Sequence, residues 1–152
     1  MQILYESKLD FIIPNFKARE LMCPCCGLIE IDYRMLPALL ELRKSWGAAL
    51  SLLSVCRCPD HNNSDGVSGH PNSLHQTKNP THNCSTCATD INVSMYSSEL
   101  KFNLFKLLRS HGWSVGLKEN SIHADLRCVV LKFPAKVFFY GSKIPNWYSK
   151  RV

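Results

Sequence analysis

The sequence predicts a single α+β domain over residues 1–152, a mainly antiparallel sheet with flanking helices, and three observations lead there. The chain has 152 residues, 45% of them apolar and 20% charged, which is the size and composition of one globular core. Two segments repeat their apolar positions with a helical period, and six short runs have the alternating or continuous apolar character of strands. Helices and strands do not alternate regularly, which argues against βαβ units and for an α+β arrangement.

The elements follow in order. Residues 1–20 carry scattered apolar side chains, Leu9, Phe11, Ile12, Ile13 and Phe16, with Pro14 among them, and are expected to form an arm packed onto the domain. Met35 to Trp46 places Leu36, Leu39 and Leu40 on one face, and Gly47 stands where such a helix would stop. Leu50 to Val55 suits a short buried strand. Between Pro59 and Cys87 the chain is dense in Asn, Ser, Gly, Pro and His, the composition of a long loop, and long loops in compact domains commonly carry function. Cys87 to Val93 resumes a strand pattern, and Ser97 caps an amphipathic helix that ends at Gly112. Trp113–Leu117, Ser121–Leu126, Val129–Phe133 and Val137–Tyr140 are four further expected strands.

The formal charge of +6 is spread in small clusters without a recognition motif, so no specific nucleic-acid partner is expected, although anionic wall polymers would be attracted. The N-terminus lacks the basic start and apolar stretch of a signal peptide, and no stretch is apolar for long enough to insert into a membrane. The chain is expected to be monomeric and cytoplasmic when synthesised. In that compartment its eight cysteines are thiols or metal ligands rather than a disulfide framework.

Four of six histidines, His61, His70, His75 and His82, fall in the polar loop, near Asp60, Asp65 and Asp90. Imidazole and carboxylate are zinc ligands, and a catalytic zinc site needs three of them plus an open position. On the expected strand Ser121–Leu126, alternation puts His123 and Asp125 on one face and Ile122 and Ala124 on the other.

These residues occur in stretches that resemble zinc D-alanyl-D-alanine carboxypeptidase-type metallopeptidases, a family that includes phage endolysins and shares its fold with the hedgehog signalling domain. Ser54-Val55-Cys56-Arg57-Cys58-Pro59-Asp60-His61-Asn62 is similar to the family's Ser-Gly-Tyr-Arg-x-Pro-x-His-Asn. The likeness continues in Ser73-Leu74-His75, in Ala88-Thr89-Asp90 and in Ile122-His123-Ala124-Asp125, in the family's order. Cys23-Pro24-Cys25-Cys26-Gly27 looks like the Cys-containing N-terminal segment of phage members.

The resemblance implies His75, Asp90 and His123 as zinc ligands. His75 and Asp90 stand further apart than in the family, with Thr86 where Gly is expected, so residues 76–87 are read as holding an insertion of about eight residues. His82 is the alternative first ligand. In the family the zinc activates water and polarises the scissile carbonyl while a carboxylate carries the proton; Glu119 is the first choice for that base and Asp125 the second. Arg57 is expected to face the substrate and stabilise the oxyanion, and Ser73 to position the peptide or His75. The implied activity is hydrolysis of peptide bonds in peptidoglycan stem peptide or cross-bridge, as in a phage lysin acting on the wall after release or as part of the virion. The alternative is a non-catalytic, zinc-stabilised binding module of the same fold.

Cys23 with Cys26 and Cys84 with Cys87 are two Cys-x-x-Cys pairs, a spacing that lets each pair reach one zinc. A structural zinc on these four sulfurs, pinning the inserted loop to the N-terminal segment, is therefore a second expectation.

Overall fold

The computed structural model describes residues 2–5 and 11–151, and side chains from residue 14 onward. In chain order the elements are β1 (Gln2–Tyr5), β2 (Phe11–Ile13), β3 (Phe16–Lys17), α1 (Ala18–Leu21), β4 (Ile29–Asp32), α2 (Met35–Trp46), β5 (Leu52–Ser54) and α3 (Pro59–Asn63). They continue with β6 (Ala88–Asn92), α4 (Ser98–Ser110), β7 (Ser114–Leu117), β8 (Ser121–Asp125), α5 (Arg127–Val130), β9 (Val137–Phe139) and α6 (Asn146–Ser149). The expected α+β domain is present. Its main sheet runs β5-β6-β8-β7-β9; every pairing is antiparallel except β7 with β9, which makes it mixed.

Helix α4 packs on β7 of this sheet, and α2 packs on α4 and β4, within one common core. Leu39 and Leu42 of α2 and Leu104 and Leu108 of α4 are fully buried, together with Ile91, Val115 and Ile122 from the strands. Burying such a side chain contributes about 1.5–3 kcal/mol, so four leucines suffice to dock two helices against the strands. The boundaries of α2 agree with its periodicity, and Gly47 ends it in the left-handed region at φ 74°, where a side chain would be strained. Ser97 caps α4 as expected, its side chain accepting the Leu100 N–H. Among the described residues no helix is long and apolar enough to cross a membrane.

The N-terminal region departs from a simple arm. β1 pairs antiparallel with β4, and β2 pairs with β3; Phe16 is buried in the core, while Leu9 lies outside the described residues. The expected strand Val129–Phe133 is not formed. There the Asp125 carboxylate accepts the Arg127 N–H at 3.1 Å, a local side-chain-to-backbone bond that turns the chain out of the extended form ahead of the short helix α5.

Residues 76–87 are held together by hydrogen bonds. Asn79 organises them: its side-chain oxygen accepts from the N–H groups of Thr81 and His82, and its amide donates to Ser73 O. Thr86 is fully buried and joins three segments, taking Glu30 O and His75 O as acceptors while its own carbonyl accepts from Asp32 N. A glycine at that position would supply no hydroxyl for the His75 carbonyl.

Candidate metal centre

The antiparallel register of β6 and β8 places Asp90 directly opposite His123. Directly opposed residues share a face, with Cβ atoms about 4.5–5.5 Å apart. Ile91 and Ile122, the next pair, point into the core. His75 comes from the loop, where its backbone carbonyl accepts from Arg57 N at 2.8 Å and from the Thr86 hydroxyl at 2.9 Å. That clamp sets a loop residue as firmly as a strand would.

Three donor atoms converge. His75 Nε2 lies 3.2 Å from His123 Nδ1 and 3.3 Å from Asp90 Oδ1, and His123 Nδ1 lies 3.0 Å from Asp90 Oδ1. Zinc bound to imidazole and carboxylate at about 2.0–2.2 Å in a tetrahedron separates its donors by about 3.3 Å, so these separations match. The other atoms of each ligand are engaged in a way that leaves the converging ones free to bind. His75 Nδ1 is 2.9 Å from Val55 O, which accepts its N–H and leaves Nε2 with a lone pair. His123 Nε2 is 3.0 Å from Asp125 Oδ2, which directs Nδ1 to the centre. Asp90 Oδ2 accepts from Arg57 Nη2 at 2.9 Å. Such outer partners fix the tautomer and orientation of metal ligands. The donor set, two imidazoles and one carboxylate with a side open to a groove, fits a divalent ion such as zinc.

The electrostatics agree with the geometry. Burial pulls the His75 imidazole down, outweighing Asp90, so it stays neutral. Burial also acts to lower His123, but the hydrogen bonds to Asp125 and Asp90 overcome it and raise its pKa. Burial alone would raise Asp90; its interactions with His75 and His123 instead hold it well below the usual carboxylate range. A proton on His123 Nδ1 and a cation compete for the position between the three donors, because both take the same lone pair.

The triad lies in a groove of about 1010 Å³ that also presents Arg19, Lys118, Arg127, Lys136, Phe138 and Tyr140. Gly116, opposite His123 on β7, permits close approach of Phe138: a Cβ there would lie 2.5 Å from the Phe138 ring, which packs 5.7 Å from the His123 ring. Burial raises the Tyr140 hydroxyl, with the charges of Asp90 and Asp125 adding to it, so it is an O–H donor at neutral pH.

Of the residues expected from sequence, His75, Asp90, His123, Arg57 and Ser73 come together. Arg57 is anchored on Asp90 and on Ser54 Oγ at 2.9 Å, and Ser73 Oγ accepts the His75 N–H at 3.3 Å. His82 is not a ligand; it packs edge-on against Phe133 at 5.5 Å. Glu119 does not join the site. It is exposed in the β7–β8 turn, where its carboxylate accepts from Asn146 N at 2.9 Å and its carbonyl from Lys101 Nζ at 2.6 Å. The four-residue step from Glu119 to His123 carries it to the far end of β8. Asp125 is fully buried, held by His123 and by Arg127 Nε at 2.7 Å and Nη2 at 2.5 Å. That places it behind His123 as an orienting group, without the exposure a proton carrier needs. Arg127 and Tyr140 were not anticipated; for Arg127 the signal was present, since it continues the two-residue spacing of His123 and Asp125.

The expected cysteine grouping is corrected. Cys23 and Cys26 gather with Cys25 and Cys58, whereas Cys84 and Cys87 lie elsewhere, beside each other and near Asp32 and Arg34. Thr86 pairs with Ile31 in β4, which draws residues 84–87 to that strand instead of to the Cys23 turn. No protein-family model, no curated protein and no solved structure matches the chain.

Proposed function

We propose that the protein is a zinc-dependent hydrolase that cleaves peptide bonds of bacterial peptidoglycan, with His75, Asp90 and His123 as metal ligands and with the fold of the D-alanyl-D-alanine carboxypeptidase-type enzymes. The observation that carries the reading is the convergence of His75 Nε2, Asp90 Oδ1 and His123 Nδ1 within 3.0–3.3 Å on the wall of an open groove. An ion held there supplies Lewis acidity and activated water. Arg57 holds Asp90 in place, and Asp125 keeps the His123 proton on Nε2. Tyr140 and Arg127 line the same groove and offer an O–H and a guanidinium to a developing oxyanion or to the terminal carboxylate of a stem peptide. The lysines and arginines around them favour an anionic peptide end.

Glu119 and Asp125, the two carboxylates expected to carry the proton, are both engaged elsewhere. Glu20, the other carboxylate that lines the groove, accepts Lys17 N at 2.9 Å at the start of α1. The second reading, a metal-stabilised binding module, draws on the same displacement of Glu119. Digestion of purified peptidoglycan by the metal-loaded protein, with fragments identified by mass, separates the two. Release of stem or cross-bridge peptides that stops in His123→Ala is expected; wall binding without any new fragment would favour the binding module.

A further inference from the structure

We infer that Cys23, Cys25, Cys26 and Cys58 form a second, tetrathiolate metal site of the zinc class, which ties the turn after α1 to the start of α3 and steadies Arg57 against Asp90. The four sulfurs lie within 4.8 Å of one another. Cys23 and Cys25 are 3.8 Å apart and Cys25 and Cys58 are 3.2 Å apart. Zinc–thiolate bonds of about 2.3 Å in a tetrahedron place sulfurs about 3.8 Å apart, while a disulfide would need about 2.05 Å. All four cysteines are free.

The backbone around the cluster is arranged for thiolates. Cys58 N–H points at Cys23 Sγ at 3.3 Å, and His61 N–H points at Cys58 Sγ at 3.4 Å. The Cys23–Gly27 turn is closed by Gly27 N to Cys23 O at 2.8 Å and by Cys23 N to Leu28 O at 2.9 Å, so the chain doubles back and three sulfurs of one short segment meet. Pro24, Cys25 and Cys26 are exposed, so this turn buries little apolar surface with which to offset the entropy of ordering it. A metal staple supplies what packing does not. Its position connects it to the other centre: Cys58 follows Arg57, whose guanidinium holds Asp90. The inference does not depend on the hydrolase reading, since a structural tetrathiolate ion is compatible with any activity of the groove.

The test uses the full chain, purified with reductant and loaded with zinc alone. The wild-type protein is expected to bind two zinc ions per chain, and Cys58→Ser and His123→Ala one each. Cobalt substitution should give thiolate-to-cobalt charge-transfer bands that persist in His123→Ala and vanish in Cys58→Ser. In Cys58→Ser the remaining zinc should bind several-fold more weakly; unchanged affinity would overturn the coupling to Arg57. Should Cys58→Ser not fold, alkylation of the native wild-type protein decides the matter. Cys25 and Cys26, though exposed, should react at least an order of magnitude more slowly with zinc than after chelation. Equal rates in the two states, a wild-type content of one zinc that falls to none in His123→Ala, or a Cys25–Cys58 disulfide with no zinc in protein purified without reductant would overturn the site. Loss of wall hydrolysis alone bears only on the groove.

Discussion

Replacing Asp125 by Asn tests how the site is built, because the two atoms of its carboxylate face donors that cannot change together. Oδ1 accepts from Arg127 N and Nε, and Oδ2 accepts from His123 Nε2 and Arg127 Nη2. An amide has one acceptor oxygen. Turning its NH₂ toward the Arg127 backbone N–H and Nε would oppose two donors that cannot be deprotonated, against one, Nη2, in the other orientation, so the oxygen stays with Arg127 N and Nε and the NH₂ faces His123. His123 then accepts at Nε2 and carries its proton on Nδ1, the atom aimed at the metal position. Removing an outer partner of a metal ligand costs about 10–100-fold in metal affinity, or about 1.4–2.8 kcal/mol at 1.4 kcal/mol per decade. A competition titration of zinc against a chromophoric chelator measures this, and nitrogen chemical shifts of the imidazole report the tautomer. If Asp125→Asn keeps wild-type affinity, yet loses two to four decades of turnover when fully metallated, the orienting role is wrong and Asp125 is the proton carrier.

Other outcomes follow from the same contacts. Glu119→Gln should leave turnover of the metallated protein nearly unchanged; a fall of two decades would return the base to Glu119 and require the β7–β8 turn to move. Gly116→Ala puts a Cβ 2.5 Å from the Phe138 ring, and overpacking of this kind costs about 1–3 kcal/mol, visible as a lower Tm and a weakened metal site; unchanged values for both would show that the strand yields freely. Asn79→Ala removes the hydrogen bonds that organise residues 76–87, so amide exchange there should accelerate while the α2 and α4 amides stay protected. For pH, the raised His123 pKa in the metal-free state means that its proton competes with the ion, so affinity should fall as pH drops through that value. The same proton stabilises the metal-free fold below the unfolded histidine pKa of about 6.5, and this contribution is lost as pH rises. The lowered Asp90 pKa works in the opposite sense, contributing above about pH 3.9 and being lost as pH falls. Zinc release monitored on acidification should therefore precede unfolding, and a coincident transition would contradict it.

Helical periodicity placed α2 and α4, because a two-faced helix writes its burial into every third or fourth residue. Alternation in Ser121–Leu126 showed that His123 and Asp125 share a face, which is a local property of an extended chain. The same local logic failed at Val129–Phe133, where β-branched residues suggested a strand and the chain, turned by the Asp125 bond to Arg127 N, begins a short helix instead. It failed again at Glu119, whose distance from His123 along the chain hid its position at the other end of β8.

Composition and periodicity thus specified the α+β class and the main helices, while the residues able to bind a metal were singled out by the resemblance of the motifs around His75, Asp90 and His123. Which residues meet was decided by tertiary structure. The opposition of Asp90 to His123 depends on strand register, and the gathering of Cys58 with Cys23, Cys25 and Cys26 in place of Cys84 and Cys87 depends on Thr86 pairing with Ile31 in β4. Register and long-range pairing are chosen by the free energy of the whole packed chain, whereas a Cys-x-x-Cys spacing constrains only how two neighbouring sulfurs lie and carries no information about which distant pair will come to face them.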